Sequence, residues 1–157
     1  MNDTVILSWP EYAMASDVGR RRQLESIKDG RKDNHGFDGE GWNEHIEGAC
    51  GECATAKHLN VYWDGSVNAF SNPDVGKYHV RTRSKHYYEL IIRPGDDNDE
   101  SIFICVTGKC PEYRIRGWIV AKDAKKPEYL KDHGKRPPAF FVPHSALRPM
   151  SELPISK

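Results

Sequence analysis

Lys77-Tyr78-His79-Val80-Arg81-Thr82-Arg83 alternates strictly. Successive side chains of an extended chain point to opposite faces, so Tyr78, Val80 and Thr82 share one side of a strand. His79, Arg81 and Arg83 share the other. Further strands follow this one. Tyr87 to Arg93 reads as the next, and Pro94-Gly95-Asp96-Asp97-Asn98 turns the chain. Ile102 to Thr107 is a continuous apolar run, the mark of a central strand buried on both faces. Tyr113 to Ala121 is another strand and Ala139 to Val142 a short one. A Lys-rich polar excursion, Ala124 to Arg136, separates them. Leu59 to Trp63 reads as a short strand before the series.

Upstream the period changes. Ser8-Trp9-Pro10-Glu11 has the form of a capping box with proline in the first turn, which predicts a helix ending near Asp29-Gly30. Its apolar stripe is thin: Val18, Leu24 and Ile27. A polar loop runs from Arg31 to about Gly41. A second helix is expected from about Trp42 to His58. Trp42, Ile46, Ala49, Cys50, Cys53 and Ala56 recur at steps of three and four. At roughly 100° per residue they lie within about 40° on one side of Trp42 and about 80° on the other. Glu52 falls at about −80°, at the edge of that stripe. The small residues Gly48, Ala49, Gly51, Ala54 and Ala56 permit close packing on a sheet. Two helices followed by several strands predict an α+β (mixed α/β) domain, with both helices packed on one central mixed sheet.

The 157 residues fit a single domain, 1–157, large enough to bury a core without a staple. Lys plus Arg and Asp plus Glu are each 23, so the net charge is zero. That excludes a polybasic protein that holds nucleic acid by bulk charge. The neutral total hides blocks. Residues 38–52 carry five acids and no Lys or Arg; 77–93 carry five cations against Glu89; 109–136 carry nine cations against four acids. Mean hydropathy is −0.73 and no apolar run spans a bilayer. The first residues lack the pattern of a signal peptide. The expectation is a cytoplasmic protein without a membrane partner.

Cys50-Gly51-Glu52-Cys53 has zinc-compatible spacing, and Cys105 and Cys110 stand further apart. The apolar setting of Cys50, Cys53 and Cys105 favours small buried hydrophobes over zinc ligands. A zinc-binding interaction protein stays as a lesser alternative. Trp9, Trp42, Trp63 and Trp118 are expected in the core.

The strongest chemical cluster is Asn72-Pro73-Asp74-Val75-Gly76-Lys77, leading into the alternating strand. An Asp at a turn before such a strand can face the cleft lined by the strand's outward side chains. Phosphodiester hydrolysis uses carboxylates to hold a divalent cation, which activates water, and a cationic side chain to steady the developing charge. Glu52, on a preceding helix, adds a second acid. The plain alternatives are that Asp74 is a turn residue and that His79, Arg81 and Arg83 form a wet sheet face.

Gly48-Ala-Cys-Gly-Glu52 on a helix, then Pro73-Asp74, then a strand ending in basic residues, resembles the PD-(D/E)XK (restriction-endonuclease-like) nuclease superfamily. Asp74-Val-Gly76, Val80-Arg-Thr82 and Gly117-Trp-Ile119 resemble its small phage-encoded members, over roughly residues 40 to 120. The resemblance implies a metal-dependent endonuclease or exonuclease acting on DNA. Glu52, Asp74, His79 and Arg81 would be catalytic, and Glu52, Asp74 and His79 would hold Mg or Mn. Position 79 departs from the family, whose second acid is degenerate here, and Arg81 replaces the catalytic lysine. Arg83, Lys85, Arg20, Arg21 and Arg22 would bind the nucleic-acid backbone. The departures open an alternative: a catalytically inactive nuclease-fold module that binds nucleic acid or a host protein, for example against a defence system. Members of such families often form homodimers.

Overall fold

The computed structural model describes residues 3–30, 41–67, 72–96, 98–134 and 136–154. The expected loop from Arg31 to Gly41 lies almost wholly outside them. Helix α1 spans Trp9–Lys28 and helix α2 spans Gly41–Leu59. The capping box forms: Ser8 accepts from the Glu11 amide, and the Glu11 carboxylate accepts from the Ser8 amide at 2.7 Å. Five strands precede the Lys-rich excursion: β1 (Thr4–Ile6), β2 (Tyr78–Arg83), β3 (Leu90–Ile92), β4 (Ile102–Lys109) and β5 (Glu112–Val120). A single helical turn, α3 (Ala121–Ala124), then leads to β6 (Leu130–Lys131) and β7 (Ala139–Val142).

The four-stranded sheet has the order β1-β5-β4-β2. β2 runs parallel to β4, and β5 runs antiparallel to both β4 and β1. The α+β class is therefore observed, with a mixed sheet. The alternation of β2 is realised: Tyr78 and Val80 join the core beneath the helices, while His79 stacks on Phe103 beyond the opposite face. β4 is buried from Phe103 to Gly108, as its apolar run requires.

One central sheet was expected, yet β3, β7 and β6 form a second, three-stranded sheet. Leu90, Ile92 and Val142 from it pack on Phe103, Cys105 and Ile119 of the first sheet. The sheet thus lies between α2 on one face and a smaller sheet on the other, so β4 is apolar on both sides; both helices were expected on the sheet, but α1 packs mainly on α2. The predicted strand at Tyr87 shortens to Leu90–Ile92, and Leu59 to Trp63 forms no strand. α2 runs through Leu59, and the chain then continues irregularly to Ser66.

α1 differs from its expected stripe. Leu24 and Ile27 are exposed, and the residues that α1 buries are Ala15 and Gly19. A Cβ on Gly19 would come within 2.4 Å of the Ile46 Cα. The helices meet backbone to backbone, with little room for large apolar side chains at the crossing. α2 approaches β2 equally closely. A Cβ on Gly51 would lie 1.9 Å from the Thr82 Oγ1, itself buried without a hydrogen-bond partner among the described residues. Gly51→Ala is therefore expected to destabilise by about 2 kcal/mol, although alanine is the better helix former by roughly 1 kcal/mol. Adding Thr82→Ala should recover most of the loss. Urea unfolding checks both, and a Gly51→Ala midpoint equal to wild type would refute the close approach.

Trp118 is core, as expected, whereas Trp9 is 77% exposed, its ring meeting Tyr12 edge-on. Among the described residues, no helix is long and apolar enough to cross a membrane.

Candidate functional site

β2 is an edge strand, and the turn before it carries Asp74 along its open side. The Asp74 carboxylate accepts the Val80 amide at 2.8 Å, a backbone donor that β4 leaves unused. The Asp74 amide in turn donates to the Tyr78 carbonyl at 2.9 Å. The turn reading of Asp74 is thus realised, and the same side chain also meets a charge. Arg81 places Nη1 3.9 Å from the Asp74 Oδ2 and Nη2 3.5 Å from the Asp96 Oδ2. Its guanidinium lies 4.8 Å from the centre of the Phe103 ring, a cation–π contact that sets its direction. Asp96 is held in turn by the Arg93 amide at 2.8 Å.

Glu52 occupies the edge of the buried face of α2, as its helical angle predicts, and its side chain is 8% exposed. Both of its oxygens are engaged. Arg22 of α1 donates from Nη1 to Oε2 at 2.7 Å and from Nη2 to Oε1 at 3.0 Å, while the Trp63 indole donates to Oε1 at 3.1 Å. Two parallel charge-assisted bonds of this kind are the strongest form of carboxylate recognition by a side chain. The Arg22 Nε donates to the Ser66 carbonyl at 3.0 Å, which ties the segment after α2 to the same guanidinium. Burial raises the Glu52 carboxyl above its ordinary range, and the nearby Asp74 charge adds to the rise; the Arg22 and Trp63 bonds oppose it. Arg22 feels Asp74 as well as Glu52. Electrostatically the order is therefore Glu52, Arg22, Asp74, Arg81, Asp96, with acid and guanidinium alternating.

Of the four residues expected to be catalytic, the structure brings Asp74 and Arg81 into contact and sets Glu52 near Asp74. His79 faces away from the helices, its ring stacked on Phe103 at 5.0 Å. Arg22 was expected with Arg20 and Arg21 on a backbone-tracking surface. It turns inward to Glu52 instead, while Arg20 and Arg21 stay exposed and pair with Asp17. The signal for this was present. Ala15, Gly19 and Arg22 stand four and three residues apart, so Arg22 lies on the small-residue stripe that α1 buries against α2. Trp63 and Asp96 also went unforeseen, and no local pattern marks them.

A divalent cation fits this donor set poorly as arranged. Both oxygens of Glu52 are engaged, and two guanidinium groups already lie beside the acids. Among the described residues, no group of three or more His, Cys, Asp or Glu is placed to hold a metal ion. Cys50, Cys53, Cys105 and Cys110 are free thiols. Burial pushes Cys50 and Cys105 each up to about 12 and Cys53 up to about 11.

Comparison with protein-family models, with curated proteins and with solved structures finds no match to this chain.

Proposed function

We propose that the chain is a nucleic-acid-binding module with a nuclease-like arrangement of acids, in which arginine has closed the acid cluster. The observation that carries this reading is the Arg22 fork across both oxygens of Glu52. Where a nuclease places a metal between acids, this chain places guanidinium groups. Arginine stays charged at any working pH and cannot serve as a base, so the cluster orders α1, α2 and the edge of β2 without a hydrolytic step. Exposed Arg20, Arg21 and Lys85, with half-buried Arg83, supply cations for a phosphate backbone.

The second reading, metal-dependent phosphodiester hydrolysis, has one point in its favour: the Asp74 charge is felt at Glu52 and helps to raise its carboxyl. Two carboxylates sharing a neighbourhood gain from a divalent cation, which would require Arg22 to swing off Glu52. Isothermal titration with Mn and Mg separates the readings. The binding module predicts no heat above background and no DNA cleavage with either ion. Metal binding that disappears in both Glu52→Gln and Asp74→Asn, together with cleavage lost in the same variants, would establish the hydrolytic reading in its place.

A further inference from the structure

At the end of the sheet where β4 turns into β5, the second sheet no longer covers the first. An open cleft there is lined by Lys85, His86, Tyr87, Gly108, Lys109 and Glu112. It lies at the C-terminal ends of the parallel pair β2 and β4, whose last register pair is Arg83 with Thr107. The acid cluster contributes nothing to it.

The cleft wall is held in place by polar contacts. His86 Nδ1 is 2.9 Å from the Thr107 Oγ1, and Arg116 donates from Nε to the same hydroxyl at 3.0 Å. Arg116 Nη2 donates to the His86 carbonyl at 2.9 Å. Thr107 is fully buried, so the hydroxyl that holds His86 and Arg116 is itself out of contact with water. Gly108 adopts φ +126°, and a Cβ there would meet the Glu112 carbonyl at 2.5 Å and the His86 ring at 3.1 Å, so only glycine lets the imidazole seat here. Burial lowers the affinity of His86 for a proton, and the charges of Arg114 and Arg116 lower it further. Seated between Gly108 and the Thr107 hydroxyl, the imidazole is a wedge that sets the direction of the loop.

What this loop presents is a ring and cations. Tyr87 is 72% exposed, an unusual cost for an aromatic side chain carried on a well-anchored loop. Its ring meets Tyr88 edge-on, and the Lys85 ammonium lies 5.9 Å from the centre of each ring. The Arg83 guanidinium lies 4.7 Å from the centre of the Tyr88 ring, with its Nη1 buried and without a hydrogen-bond partner among the described residues. Lys109 and Arg114 add exposed positive charge, with Glu112 the one acid of the lining. An exposed aromatic face flanked by cations matches the two demands of an unpaired strand: a surface for a base to stack on, and charge for its phosphates. A duplex offers no free base face, so for it Tyr87 would contribute little.

We propose that this cleft binds single-stranded polynucleotide, with Tyr87 as the base-stacking platform and Lys85 and Lys109 as phosphate contacts. The assignment rests on the nucleic-acid reading above, and adds to it the strand form and the surface. Fluorescence anisotropy tests it with labelled oligothymidylate and with a mixed-sequence duplex of equal length, at several salt concentrations. Wild type should prefer the single strand. Tyr87→Ala should weaken that binding about tenfold or more, and Tyr87→Phe should restore it. Lys85→Gln with Lys109→Gln should flatten the salt dependence by about 0.7 in log–log slope per cation removed. Nucleic-acid binding that Tyr87→Ala leaves unchanged, or a preference for the duplex, overturns the cleft assignment alone. Absence of binding to either oligonucleotide overturns both it and the broader reading.

Discussion

Arg22→Ala is expected to lower the free energy of unfolding by about 3 kcal/mol at neutral pH, because it strands a carboxylate that is 8% exposed. The loss should depend on pH. Glu52 is already raised above the ordinary carboxylate range by burial and by Asp74, against the pull of Arg22 and Trp63. A carboxyl raised in the native state contributes stability below its unfolded value of about 4.3, and loses it as pH climbs through the native value. Without Arg22 the native value rises further. More stability is then lost over that climb, so the deficit relative to wild type should widen between about pH 4 and pH 7. Arg22→Lys keeps the charge but not the fork, and should fall between the two. Urea titrations at both ends of that range measure the effect. A deficit equal at the two pH values would mean that Arg22 acts by packing and not as the counter-charge of Glu52.

Gly19→Ala is expected to be at least as damaging, against its local preference. By helix propensity alone the substitution should stabilise α1 by about 1 kcal/mol. The added methyl would sit 2.4 Å from the Ile46 Cα and 2.7 Å from the His45 carbonyl oxygen, and both atoms are main chain. No rotamer relieves that contact. The helices must separate, which opens the seam where Ala15 is buried and displaces Arg22 from Glu52. A net loss of about 3 kcal/mol follows, the upper part of the usual overpacking range. Thermal and denaturant melts of the single variant check the sign. A stabilised Gly19→Ala protein would show that α1 and α2 do not cross at this point.

Local patterns carried much of the fold. The Ser8–Glu11 capping box, the period of α2 and the alternation of β2 each act within a few residues, and each appears in the structure where its pattern lies. β1 has only three residues, and its pairing with β5 depends on a strand about a hundred positions later. No local pattern encodes that. The second sheet was illegible for the same reason: Leu90–Ile92 pairs with Ala139–Val142 across β4 and β5. At the site, the helical angle of Glu52 located its carboxylate at the edge of the buried stripe. The partner of that carboxylate was hidden because a run of three arginines shows no direction until the buried stripe of α1 is known. The face of His79 follows from strand phase, and its catalytic and metal-holding role only from the family resemblance. The phase was right about its face, and could not say that Phe103 would lie beneath it.

The Asp74 carboxylate also has a duty unrelated to chemistry. β2 is the last strand on its side of the sheet, and such a rim invites a strand from another molecule to add itself. By claiming the Val80 amide, Asp74 removes one of the donors that an incoming strand would need, and Arg81 beside it puts charge on the approach. An acid at this position therefore helps to keep copies of the chain from zipping together, whether or not a phosphate is ever bound there.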